Sequence, residues 1–209
     1  MMTLLIADDH AVVRQGLKQI LDEQPDMRVA GEAQNGAEVL DLLGKGHWDA
    51  VLMDISMPGR NGLEILKDIR RLQPKLPVLI LSVHPESQYA VRALRNGAAG
   101  YITKESAPQE LVNAVRHAVS GRKYVSASLA EQLASEVERP SGKALHESLS
   151  DRELQILCLI ASGKTPTGIA AELSLSVKTV STYRARLLQK MKMKNSAELT
   201  RYAISNKLV

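Results

Sequence analysis

Two short runs, AVLM at 50–53 and VLIL at 78–81, are aliphatic throughout. A strand with one wet face alternates apolar and polar residues. An unbroken run needs apolar neighbours on both faces, which is the condition of a strand inside a parallel sheet. Related runs recur as TLLIA (3–7), MRVAGEA (27–33) and GYIT (100–103). Between them the spacing changes to that of helices: Val13, Leu17, Ile20 and Leu21, and later Leu111, Ala114, Val115, Ala118 and Val119. Strand and helix therefore alternate five times over residues 1–120. The pattern predicts an α/β unit, a five-stranded parallel doubly wound sheet with helices on both faces.

The rest of the chain lacks that alternation. Residues 121–147 read as a linker, partly helical: VSASLAEQLASEVE places Leu129, Leu133 and Val137 in step, and RPSGK then breaks the helix. Residues 148–209 carry no strand signal. LSDRELQILCLIASG opens with Ser150 and Glu153 at capping-box spacing. Two helical patterns flank Leu173-Ser174-Leu175-Ser176, and NSAELTRYAISN supplies a fourth, so an all-α four-helix helix-turn-helix domain is expected.

Charge separates the same parts. Residues 1–120 hold 13 Lys/Arg and 15 Asp/Glu, whereas residues 148–209 hold 10 and 4. An acidic first part and a compact basic last part suggest two tasks, the second involving nucleic acid. With no Phe and one Trp, an aromatic-lined ligand pocket is not expected. The single cysteine, Cys158, sits in an apolar helical pattern and reads as core. No apolar run approaches the roughly 20 residues that span a bilayer and no signal peptide is visible, so a cytoplasmic protein without membrane contact is expected.

Ligands bind a parallel sheet at the carboxyl ends of its strands. Asp8 and Asp9 follow the first strand, Asp54 ends the third, Ser82 the fourth, and Lys104 follows the fifth. Alone, an aspartate there could be a helix cap. Three carboxylates together repel unless a cation intervenes. An incomplete cage of hard oxygen donors suits Mg2+, which keeps waters and favours a phosphate partner. A lysine beside it adds a second positive contact, and a carboxylate can itself attack phosphorus.

The ordered set DD, MDISMPGRNG, LS and YITK resembles the receiver domain of two-component response regulators, across the whole of residues 1–120. The resemblance implies Asp54 as phosphoacceptor. Asp9 would bind Mg2+ directly, Asp8 through water, and the Ser56 backbone carbonyl would be a further ligand. Lys104 would contact the phosphoryl oxygens, and Ser82 and Tyr101 would form the switch pair. Glu105 follows Lys104 where many receivers carry proline. His10 reads as a surface or steering residue, Gly59 and Gly62 as turn residues, and Tyr101 has packing as its plainer alternative.

In SVKTVSTYRARLLQKM, an angular step of about 100° per residue gathers Val177, Val180, Leu187, Leu188 and Met191 on one side. Lys178, Thr182, Ala185, Arg186 and Gln189 gather opposite. A solvated face is the plainer reading. The segment, with IAAELSLS before it and NSAELTRYAI after it, resembles the LuxR-type DNA-binding domain of the NarL/FixJ response regulators. That resemblance implies Ser181, Thr182 and Ala185 facing bases. Lys178, Thr179, Tyr183, Arg186 and Lys190 would meet phosphates; Arg184 falls toward the apolar side, which weakens the same assignment. Pro166 and Gly168 depart from the family's usual run. The implied partners are a sensor histidine kinase, promoter double-stranded DNA and a second copy on phosphorylation. Two other readings stay open: an aspartyl-phosphate phosphatase, disfavoured because position 56 is Ser, and a LuxR-type small-molecule sensor.

Overall fold

The computed structural model describes residues 1–106, 108–138, 144–206 and 208–209. Its contacts divide the chain into two units, Met1–Gln132 and Leu133–Val209. The RPSGK stretch and the Val137 side chain lie outside the described residues.

The first unit runs β1 (Met2–Ala7), α1 (Ala11–Asp22), β2 (Met27–Ala33), α2 (Gly36–Lys45), β3 (Ala50–Asp54), α3 (Gly62–Leu72), β4 (Val78–Ser82), α4 (Glu86–Arg95), β5 (Gly100–Thr103) and α5 (Pro108–Val119). All pairings are parallel, in the order β2-β1-β3-β4-β5. β3 and β4 are buried at every position, as their unbroken aliphatic runs require. Edge strand β2 instead exposes Arg28 and Ala30. One face of the sheet packs Leu4, Ile6, Leu52, Leu79 and Leu81 against Leu111, Val112 and Val115 of α5.

This order reverses direction at β1. The chain leaves β1 for β2 on one side and returns to β3 on the other, so the flanking helices diverge above the β1 and β3 ends. A crevice opens at such a switch point, and it is where Asp8, Asp9 and Asp54 fall.

Helix α6 (Ala127–Glu138) begins on this unit. Tyr124 forms a parallel bridge to Gly100 beside β5. The Ser126 hydroxyl accepts from the Leu129 amide and donates to the Glu86 carboxylate at 2.7 Å, and Ser128 donates to the same carboxylate. One acid thus serves the first turns of both α4 and α6, where negative charge is favoured.

The second unit has a 3-10 turn (Leu145–Ser148) and α7 (Asp151–Ala161), α8 (Pro166–Glu172), α9 (Val177–Lys190) and α10 (Ser196–Ser205). Ser150 and Glu153 form the expected capping box on α7. Pro166 takes the first position of α8 behind the Thr165 cap, where its missing N–H costs nothing. Ser174 turns the chain between α8 and α9 with φ +52°. Arg152, buried, ties α7 to that turn through the Leu173 carbonyl. Cys158 is buried, as expected of a core position.

Of the two turn glycines near residue 60, only Gly59 has positive φ. Gly62 is needed for space: a Cβ there would lie 2.3 Å from the Asp54 carbonyl oxygen. Gly62→Ala is therefore expected to cost about 1–3 kcal/mol through overpacking. At exposed Gly16 in α1 a Cβ meets nothing within 4 Å, so Gly16→Ala should gain about 0.5–1 kcal/mol. Urea unfolding of the two variants checks the opposite signs.

Candidate phosphoacceptor site and nucleic-acid interface

Asp54 closes β3 in the central sheet and is almost fully buried. Its Oδ1 accepts from the Ser56 amide at 3.1 Å, which fixes the carboxylate over its own turn. Asp8, fully buried, holds the parallel position at the end of β1 and accepts from the His10 amide at 2.9 Å. Lys104 arrives from the end of β5. Its ammonium lies 2.7 Å from Asp54 Oδ2 and 2.6 Å from Asp8 Oδ2, with the side chain only 9% exposed. Asp9 is partly exposed at the rim.

Single donor atoms from Asp8, Asp9, His10 and Asp54 all lie within 4.8 Å of one another. Three carboxylates converging at that spacing are the hard oxygen donors a small divalent cation takes. The residues therefore fit the expected Mg2+. His10 is more involved than a mere surface residue: 65% exposed, its Nδ1 still lies 2.9 Å from Asp9 Oδ1 and 3.2 Å from Asp8 Oδ1.

Burial lifts the Asp54 carboxyl above the ordinary aspartate range; Lys104 pulls it down, and Asp8 adds to the rise. Loss of water alone would lower the Lys104 ammonium, but Asp54 and Asp8 prevail and raise it. The lysine is thus a fixed cation against two buried acids.

Ser82 is buried at the end of β4, and its hydroxyl accepts from the His84 amide at 3.1 Å. The Tyr101 ring is turned inward and fully buried, with its hydroxyl donating to the His84 carbonyl at 2.9 Å. Both expected switch residues therefore hold one peptide stretch, the loop leading to Glu86. His84 was not legible in the sequence. Its Nε2 lies 3.4 Å from Ser56 Oγ, so it joins the β3 and β4 loops above the acids. The Lys104–Glu105 peptide is trans.

On the second unit, Val180, Leu187 and Met191 bury one side of α9. Lys178, Ser181, Thr182, Ala185, Arg186 and Gln189 are exposed on the other. Lys178, Thr179, Thr182, Tyr183 and Arg186 line one shallow groove with Ser176, and Arg186 lies 5.9 Å over the Tyr183 ring. The apolar side differs from expectation at Val177 and Arg184. Val177 is 44% exposed, because it sits in the first turn of the helix beyond the packed body. Arg184 is exposed rather than inward and its Nε donates to Ser196 Oγ at 2.7 Å. Lys190 pairs with Glu153 at 2.7 Å, joining α9 to the α7 cap.

Two families match these two units. Residues 4–116 match the response regulator receiver domain, and residues 147–203 match the bacterial regulatory proteins of the luxR family. The chain belongs to the response regulators: it is a DNA-binding two-component response regulator of the LuxR/NarL type. The receiver match occupies the segment that a small-molecule sensor would need for its ligand cavity, so that alternative lapses. Among relatives, the response regulator UvrY of Escherichia coli (strain K12) is 39% identical over 209 residues, covering 100% of this chain and 96% of UvrY. GacA of Pseudomonas aeruginosa is 37% identical, covering 100% and 98%. Among solved structures, RcsB of Salmonella enterica serovar Typhimurium, bound to promoter rprA in the presence of phosphomimetic BeF3-, is 27% identical. It aligns with a TM-score of 0.67 over 96% of this chain and 97% of RcsB. Among the described residues no helix is long and apolar enough to cross a membrane.

The raised Asp54 value has a consequence for stability. A group that holds its proton more tightly when folded contributes stability below its unfolded pKa and loses it as pH rises through the folded one. Asp54→Asn removes that loss and keeps the Lys104–Asp8 pair. In metal-free buffer the variant should gain on the parent protein as pH climbs through this window, and exceed it at neutral pH. Urea midpoints across a pH series test this, and a gap that does not change with pH contradicts it.

Proposed function

We propose that Asp54 accepts a phosphoryl group from a sensor histidine kinase, with Mg2+ bound, and that the modification controls paired binding to promoter DNA. The observation that carries this reading is the Lys104 ammonium bridging two buried aspartates in the β1/β3 crevice.

A carboxylate oxygen of Asp54 attacks phosphorus, the donor's phosphorus–nitrogen bond breaks, and the electron pair leaves with the histidine ring, which departs as neutral imidazole by taking up a proton from solvent. Asp9 and Asp54 would hold the cation, with Asp8 behind them and the Ser56 carbonyl alongside. When bound there, Mg2+ offsets charge on the phosphoryl oxygens. Lys104 is placed to exchange its Asp54 contact for a phosphoryl oxygen, while Asp8 keeps it in position. Position 56 offers a hydroxyl in place of the second carboxylate that a turnover phosphatase needs as general acid/base. The acyl phosphate therefore persists long enough to signal.

The output runs through the loop after β4. Ser82 and Tyr101 both bind the His84 backbone, and Glu86 two residues later holds Ser126 and Ser128 at the start of α6. A change at the phosphoryl site that draws Ser82 inward moves the same loop that anchors the connector. The structure of RcsB bound to promoter DNA in the presence of a phosphomimetic supports a link between phosphorylation and DNA binding here: phosphorylation would favour dimerisation, and two copies of α9 would then read half-sites. Ser181, Thr182 and Ala185 would face bases, with Lys178, Thr179, Tyr183 and Arg186 on phosphates. Arg184 and Lys190, each held by a scaffold partner, would contribute less.

Acetyl phosphate with Mg2+ should add one phosphoryl group, seen in the intact mass. Asp54→Asn or removal of Mg2+ should abolish it. Lys104→Met should cost about 3–5 kcal/mol of stability in metal-free buffer, since two buried acids lose their cation. Many turnovers of excess phosphodonor would favour the phosphatase reading instead.

A further inference from the structure

The outward strip of α9 has more methyl chemistry than its sequence suggests, and the importance of that chemistry rests on the DNA-reading role proposed for this helix. At about 100° per residue, Lys178, Thr182, Ala185 and Gln189 share this strip, and all are exposed. The Thr182 hydroxyl donates to the Lys178 carbonyl one turn back, at 3.0 Å. Its only hydrogen is therefore spent on the helix's own backbone. The oxygen can still accept, but the branch with no such tie is the methyl. Three residues on, Ala185 offers a methyl and nothing else. Thr179, about 100° round the helix from Lys178, lies off this strip, its hydroxyl 2.8 Å from that of Ser176.

Purine edges in the major groove reward a hydrogen-bond donor through N7, and guanine adds O6. The one apolar feature on any base edge there is the thymine C5 methyl. A strip with a spent hydroxyl and a bare methyl gains little from purine acceptors and can bury that methyl. We propose that Thr182 and Ala185 together form a thymine-methyl reader, which makes a thymine at the centre of each half-site a determinant of this protein's DNA specificity.

Replacing thymine by deoxyuridine tests this cleanly, because base pairing and O4 are kept and only the methyl is lost. The full chain, activated with beryllofluoride and Mg2+, is first used to select duplexes from a random-sequence library. Each thymine of the recovered site is then replaced in turn. One thymine, or two adjacent ones, per half-site should lose about fourfold in affinity, the scale of one buried methyl-sized group. Thymines elsewhere in the site should be indifferent. Thr182→Ser keeps the hydroxyl and Ala185→Gly shortens the side chain; each should remove sensitivity to deoxyuridine at that position. Thr182→Val keeps a methyl without the hydroxyl and should retain it. Circular dichroism checks that the glycine variant stays helical, and the serine variant carries the test if it does not. A recovered site with no recurring thymine, indifference to every replacement, or sensitivity unchanged in both Thr182→Ser and Ala185→Gly overturns the inference alone. Recovery of no consensus sequence overturns the DNA-reading role with it.

Discussion

A lysine ammonium held between two buried aspartates is the interaction on which the rest of this structure depends. Asp8 and Asp54 close neighbouring parallel strands and lie under the same surface, so their charges face each other where water cannot screen them. Lys104 comes from the far edge of the sheet, after β5, two strands from β3 and three from β1, and is nearly as buried. One cation cannot balance three carboxylates. The cluster keeps an excess of formal negative charge, which suits it to hold a divalent cation.

The surrounding fold serves that arrangement. The reversal of strand order at β1 opens the crevice, and Gly62 lets α3 approach the Asp54 backbone carbonyl while its amide bonds the Ile55 carbonyl, so the turn that carries the carboxylate is closely packed. From the crevice outward, the loop after β4 gathers Ser82, Tyr101 and His84, and Glu86 passes the connection to the first turn of α6. The second unit is built separately around α7, whose cap acid Glu153 pins Lys190 and whose Arg152 pins the turn. Helix α9 is thereby presented with one face packed and the other exposed.

Much of this was legible in the sequence because strong, local signals carried it. Unbroken aliphatic runs specify doubly covered strands, and strand ends specify where ligands meet, so Asp8, Asp9, Asp54 and Lys104 could be gathered without coordinates. The capping box at Ser150 and Glu153 is equally local. What escaped depends on pairs distant in the chain or on exposure at helix ends. His84 has no motif, and its meeting with Ser56 and Tyr101 is a product of loop packing. Val177 follows the helical period of the buried residues yet stands exposed, since periodicity gives a direction but not where the body ends. Lys190 looked like a free cation because Glu153 lies 37 positions away. The spent hydroxyl of Thr182 depends on side-chain orientation, which composition cannot convey.

Crystals of the full chain soaked with Mn2+ give the most direct measure of the central claim, since anomalous scattering locates the ion without reference to activity. The account predicts one strong peak within bonding reach of the Asp9 and Asp54 carboxylates, with Lys104 still against Asp8. A peak elsewhere, or none at this cluster, would contradict it.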